Sequence, residues 1–221
     1  LPHGRGFTPS SSLWSSFNGM GLHLRNTPLL ATYAIGFLIL FAQVATFTYI
    51  NFHLSAAPWH LDTHALSYIF FVFLVGTVIT PSAGGWARRW GTHRVAAAAM
   101  AISCAGLLLT LLQPLPLIVF GLVLSSCGVF VVQALATGLV PRLALGGRSA
   151  AAGLYISCYY LGGSFGGTLP GSYWAQLGWT GCVALVLSAQ IAAAAIAWNV
   201  WARHTSTDDV APLTPPVQAT V

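Results

Sequence analysis

Residues 84–94 read Gly84-Gly85-Trp86-Ala87-Arg88-Arg89-Trp90-Gly91-Thr92-His93-Arg94. The stretch holds three of the chain's eight basic side chains, Arg88, Arg89 and Arg94, and all eight are arginines. Long apolar runs flank it, Ala65 to Ala83 before and Val95 to Leu112 after. One charged side chain at the centre of a bilayer costs about 2.5–3.5 kcal/mol, so three together cost about 8–10. The flanks read as lipid-facing helix, and the charged stretch does not belong in lipid with them. It therefore reads as a tight turn between two membrane helices, held by its charge on the cytoplasmic side.

The rest of the composition agrees with that anchor. Of the 221 residues, 56% are hydrophobic and 5% charged, whereas soluble domains carry about 25% charged residues. A water-soluble globule is excluded, and there is room for several spans of about 20 residues. The formal charge of +5 does not point to nucleic acid, because the arginines sit singly or in short groups at the edges of apolar runs. Cys104, Cys127, Cys158 and Cys182 all lie inside apolar runs without CxxC spacing and read as small packing residues. There is no signal-peptide pattern, since the first apolar run begins near Leu29.

Taken in order, residues 1–27 read as a polar linker, with a short interfacial helix near Leu13 to Leu24. Six spans follow, at about 28–53, 65–87, 93–113, 117–140, 150–173 and 181–201, and then a polar tail over 204–221 that is expected to be disordered. Pro28 sits in the first turn of the first span, where a helix tolerates it, and Pro81 is expected to kink the second near the arginine turn. Spans three and six are bland runs of alanine and leucine. Spans one and four carry polar stripes. Gln43, Phe47 and Asn51 recur at i, i+4 and i+8, and Ser126, Phe130, Gln133 and Thr137 at i, i+4, i+7 and i+11, each set on one helix face. In span five Gly163, Gly167 and Gly171 are four apart, with Gly162 and Gly166 alongside. Small residues at that interval let helix backbones approach closely, so they read as packing positions. On this scheme all eight arginines fall on one side, which puts both termini in the cytoplasm.

Three constellations could carry other chemistry. Gly162-Gly163-Ser164-Phe165-Gly166 fits G-x-S-x-G, but that elbow needs a strand-to-helix turn and here lies within a helix. An intramembrane serine protease is a remote alternative: Phe165 stands where its last glycine belongs, and span six contains no histidine. His60 and His64 flank Asp62 near His53, but the stretch reads as a wet loop and no metal or other cofactor is expected. No aspartate, glutamate or lysine falls inside any span, and His53 is the one weak candidate for a proton carrier.

The residues resemble the carboxy-terminal half of a major facilitator superfamily transporter, closest to bacterial efflux-type members. The basic turn resembles the family's loop G-x-L-A-D-R-x-G-R-R: Gly84, Ala87, Arg89 and Gly91 match. Trp86 replaces the leucine, Arg88 the aspartate, and Thr92 and His93 the paired basic residues. Tyr159 to Gly167 with Pro170-Gly171 resembles the glycine-rich fifth helix of a half, and His23 to Pro28 the end of the linker joining the halves. The resemblance implies an all-α membrane fold of six helices as two inverted three-helix repeats, in a multi-pass protein of the bacterial inner membrane. It implies secondary active transport by alternating access, with a small molecule exported through a site between halves, and no enzyme activity. The first and fourth helices of a half would line the cavity, which puts Gln43, Phe47, Asn51, Ser126, Phe130, Gln133 and Thr137 toward substrate, with Tyr159 and Tyr160. Its expected partners are the bilayer, the substrate and the missing amino-terminal six-helix half. Arg88 cannot make the aspartate's pairings, which implies that this turn anchors topology and leaves gating to the other half. A non-catalytic six-helix scaffold or subunit is the alternative from another class.

Overall fold

The computed structural model describes residues 26–144 and 147–204. The interfacial helix, the linker up to residue 25 and the tail from residue 205 lie outside the described residues. Asn26 starts the first helix, α1 (Thr27–Ser55): its Oδ1 accepts from the Leu29 N–H, and Pro28 sits in the first turn where no N–H is needed. The Asn26 Nδ2 donates to the Leu143 carbonyl at 2.8 Å, which ties this end to the end of a helix far along the chain.

The second pass is broken. It consists of α2 (Thr63–Ile69), capped by Asp62, then α3 (Val72–Ile79) and α4 (Ser82–Trp90), with a 51° bend between α2–α3 and α4 at Thr80-Pro81. Proline lacks the N–H that would continue the ladder, and its ring clashes with the preceding turn. The arginine stretch is more ordered than a turn of eleven residues. Residues 84–90 belong to α4, and α5 (Thr92–Leu109) begins two residues later, so the reversal falls on Gly91 alone. Its φ of 85° is the region only glycine enters cheaply. Gly84, read from sequence as part of the turn, lies inside the helix with open space around it.

α6 (Leu115–Leu143) runs back antiparallel to α5, and Pro141 is accommodated in its last turn. α7 (Arg148–Thr168) and α8 (Pro170–Ile196) meet at Leu169, whose φ/ψ are helical. The sharp break comes later, at Gly178, with φ 61° and ψ −144°. Beyond it the chain returns along α1. Tyr33 donates to the Ala151 carbonyl and Tyr49 to the Gly167 carbonyl, so α7 runs parallel to α1. Trp201 then lies against Thr32, so the last pass runs antiparallel. A π-helical segment, Ala197–Trp201, and a final turn, α9 (Ala202–His204), complete the described chain.

The result is an all-α membrane bundle. Among the described residues, four helices are long and apolar enough to cross a bilayer, five if the bent pair counts as one span. α7 is not among them, because its glycines, serines and tyrosines dilute the apolar content of a 21-residue helix. The packing shows an internal repeat: α1 lies on α7 as α6 lies on α3, and α5 lies on α6 as α8 lies on α1.

Close approach depends on glycine at two seams. A Cβ on Gly162 would fall 2.7 Å from the Phe37 carbonyl carbon, and one on Gly166 3.0 Å from the Phe41 Cα. The α7 glycines therefore pack backbone to backbone on α1. The sequence did not flag the second seam, where Gly106 would meet the Ser125 nitrogen at 2.6 Å between α5 and α6. Ser103 Oγ donates to the Ser125 carbonyl beside it.

Every described arginine lies at one end of the bundle, with Gly91, Asn26 and Leu143. The opposite end is drawn together by aromatic side chains. Trp59 Nε1 donates to the Gln113 carbonyl, and Trp179 Nε1 to the carbonyl and hydroxyl of Thr110. His53 packs on both rings, stacked on Trp179 at 5.6 Å.

Candidate substrate-facing site

Phe73 joins the two polar stripes. Phe47 on α1 is buried and packs 4.3 Å from Phe73 of α3, and Phe73 meets Phe130 of α6 edge-on at 6.0 Å. Such ring pairs contribute about 0.5–1.5 kcal/mol each beyond their buried area. Phe70 packs on both Phe47 and Phe73 at about 6 Å. Phe73 of the second pass thus bridges two helices that also touch each other directly. Sequence reading missed Phe70 and Phe73, because the run was uniformly apolar; their i, i+3 spacing was the available signal.

Around this aromatic bridge lie polar atoms without a partner in the chain. Gln43 and Asn51 are half-buried: the Gln43 Nε2 has no partner, while the Asn51 Nδ2 donates to the Phe47 carbonyl at 2.6 Å and leaves its Oδ1 unpaired. Thr46 Oγ1, Ser126 Oγ and the Tyr155 hydroxyl are also buried and unpaired. Leaving one such group unsatisfied costs about 1–3 kcal/mol. Gln43 and Asn51 each lie about one turn from Phe47, where hydrogen bonds from a ligand or water would relieve them, while the Tyr155 hydroxyl lies apart, beside Gly36.

Lower in the bundle Phe130, Gln133 and Thr137 line a cleft of about 430 Å³ with Thr77, Thr80 and Pro81. The cleft lies at the bend, with Pro81 in its wall. Thr137 and Thr80 return their hydroxyl protons to carbonyls one turn back, which leaves oxygen lone pairs facing the space. Tyr159 interacts with Gln133 across α6 and α7, and it stacks on Tyr155 at 6.0 Å. Tyr160 is exposed and touches Tyr159 edge-on. The structure therefore gathers Gln133, Thr137, Phe130 and Tyr159 on one side and Phe47 through Phe73. Ser126 is sealed within α6 packing, and Tyr160 points away.

The other constellations do not assemble. Ser164 lies mid-helix and donates to the Tyr160 carbonyl. Among the described residues, no three histidine, cysteine or acidic side chains come together, and Asp62 is spent capping α2. The four cysteines are free thiols; Cys104 donates to Gln190 Oε1 between α5 and α8.

Apolar helices packed around unpaired polar atoms, with the described arginines confined to one end, define a multi-pass integral membrane protein. Known proteins narrow the class. The chain is 34% identical over 188 residues to an uncharacterised MFS-type transporter, YybF, of Bacillus subtilis (strain 168), covering 84% of this chain and 46% of the relative. It is 32% identical over 190 residues to the inner membrane transport protein YnfM of Escherichia coli (strain K12), covering 84% and 45%. An uncharacterised transporter of Buchnera aphidicola subsp. Schizaphis graminum is 30% identical over 188 residues, covering 85% and 46%. No family model and no solved structure matches the chain. The chain belongs to the major facilitator superfamily. It spans about half the length of the curated relatives it matches.

Proposed function

We propose that this chain is the carboxy-terminal, six-span half of a secondary transporter that exports a small molecule across the bacterial inner membrane by alternating access, both its ends facing the cytoplasm. The observation that carries the reading is the cleft in which Thr77 and Thr80 face Phe130, Gln133 and Thr137 of α6, with Phe73 joining Phe130 to Phe47 of α1, on which Gln43 and Asn51 keep unpaired polar atoms. A groove open along one side of a half becomes a pathway only when a second half covers it, as in transporters built from repeats that rock about a midplane site. The relatives, roughly twice the matched length, leave room for that second half. The unpaired amides and hydroxyls would hydrogen-bond the substrate, and the phenylalanines would hold an apolar or aromatic portion. With no carboxylate inside the described passes, this half recognises substrate without an ion pair, and proton coupling falls to the other half.

The experiment is flux in proteoliposomes, with a panel of labelled small molecules. The chain alone should move none of them, and the chain co-reconstituted with its amino-terminal half should move at least one. Flux by the chain alone would overturn the half-transporter reading.

A further inference from the structure

We propose that Gln190 of α8 is a positioning residue for Gln43: its amide nitrogen donates to the Gln43 oxygen across the α1–α8 seam and turns the Gln43 nitrogen toward the pathway. This role deepens the function proposed above and rests on it only for what the Gln43 nitrogen meets.

Two contacts fix the register of the seam. At the arginine end the Trp201 indole donates to Thr32 Oγ1 at 3.1 Å, and at the opposite end Trp179 stacks on His53. Gln190 lies eleven residues from each tryptophan, and Gln43 lies eleven from Thr32 and ten from His53. Both glutamines therefore stand midway along the seam, about 15–16 Å from either contact. They also share its faces. At 100° per residue, Gln43 is about 20° round α1 from Thr32, and Gln190 about 20° round α8 from Trp179. The axes of packed helices lie about 8–10 Å apart, a gap that two glutamine side chains span.

Donors and acceptors then decide the bonds. Gln190 is 2% exposed. Its Oε1 accepts from the Cys104 thiol of α5 at 3.2 Å, and its Nε2 is buried without a partner in the chain. The Gln43 Nε2 is likewise buried and unpaired. Two amide nitrogens are both donors and cannot bond each other. Turning the Gln43 amide over exchanges its nitrogen and oxygen within the same volume, so that one N–H of Gln190 meets an oxygen. Thr46 lies about one turn further along α1, and its Oγ1, also buried and unpaired, accepts the second N–H. One rotation thus relieves three buried polar groups. The hydrogen bonds run from α5 through α8 to α1, and the Gln43 nitrogen becomes a donor facing the pathway. A substrate read by Gln43 presents an acceptor there, such as a carbonyl, ether or hydroxyl oxygen.

Cross-linking tests the placement. With the four native cysteines replaced by alanine, the pair Gln43→Cys and Gln190→Cys should be joined by a short bifunctional thiol reagent in about tenfold greater yield than the pair Gln43→Cys and Ile191→Cys. Ile191 is exposed and turned about 100° away on α8. A double-mutant cycle, read as reversible unfolding in mixed micelles, tests the bond. Gln43→Leu and Gln190→Leu together should raise the unfolding constant about threefold less than the product of their separate effects. These two readouts need no substrate, so they decide the link independently of the half-transporter reading. Flux of the labelled panel through the assembled transporter tests the positioning. Gln190→Leu should raise the half-saturating concentration several-fold and leave maximal flux unchanged. Equal cross-linking yields, or separate effects that simply multiply, would overturn the link. A fall in maximal flux at an unchanged half-saturating concentration would overturn the positioning role.

Discussion

Gly162→Ala should separate α7 from α1. A methyl group at Gly162 would sit 2.7 Å from the Phe37 carbonyl carbon and 2.8 Å from its Cα, and ordinary contact begins at 3.4 Å. The Phe37 carbonyl oxygen is nearer still, so relief needs more than the roughly 0.7 Å that would clear the carbonyl carbon alone. The obstacle is backbone, which cannot rotate aside as a side chain can, so the two helices must part. Overpacking of this kind costs about 1–3 kcal/mol. The same displacement lengthens the Tyr33–Ala151 and Tyr49–Gly167 hydrogen bonds that hold the pair in register, at 3.0 and 3.1 Å. Gly153 lies on the same helix with nothing within 4 Å of its would-be Cβ. Gly153→Ala should therefore be neutral or stabilising by up to about 1 kcal/mol, from helix propensity. The assay is reversible unfolding in mixed micelles, followed by helical circular dichroism. If Gly162→Ala unfolds at the same denaturant mole fraction as Gly153→Ala, the backbone contact does not exist and the α1–α7 seam is wrong.

Other substitutions test separate parts. Gly91→Ala forces a φ of 85° on a side-chain-bearing residue and should cost about 1–2 kcal/mol in the same assay, while Gly84→Ala, in open helical space, should cost nothing measurable. Equal effects would move the turn off Gly91. Trp179→Phe strips the buried Thr110 carbonyl and hydroxyl of their donor and should destabilise the chain by about 1–3 kcal/mol; a change under about 0.5 would mean the indole bonds contribute nothing. Arg88→Asp restores the family's acid at an exposed position and should leave membrane insertion and, in the assembled transporter, flux unchanged. Loss of flux with normal insertion would assign this turn a gating role.

The sequence was legible where a single residue type carries the physics. Arginine clusters cannot sit in lipid, and that placed the reversal near residue 90 and every described arginine at one end. Glycines four apart announced a close helix contact, but a spacing rule does not name the partner. That α7 packs on α1, in parallel, needed the Tyr33 and Tyr49 hydrogen bonds. The arginine stretch itself was read too loosely, because arginine and alanine favour helix up to Trp90 and only Gly91 has to leave it. In the candidate site, polar residues spaced along α1 and α6 stood out against apolar neighbours. Phe70, Phe73, Thr77 and Thr80 did not, because a phenylalanine that bridges two helices looks the same in sequence as one that faces lipid. Their role shows only in the packing, Phe70 and Phe73 against Phe47, Phe73 against Phe130, and Thr77 and Thr80 in the cleft beside Pro81.

The central claim, that the polar faces of α1 and α6, with α3 joining them, line a water-filled pathway in the assembled transporter, is tested most directly by cysteine accessibility. In a background with the four native cysteines replaced, single cysteines at Gln43, Gln133 and Thr137 are compared with cysteines at exposed Leu108 and Phe120. The reagent is a small, charged, membrane-impermeant maleimide, applied to the full transporter in membrane vesicles of both orientations. Thiols react as thiolates, which form in water and not in hydrocarbon. The account predicts labelling at the three groove positions at least tenfold faster than at Leu108 and Phe120. Equal, slow labelling at all five positions would place the groove in lipid and contradict it.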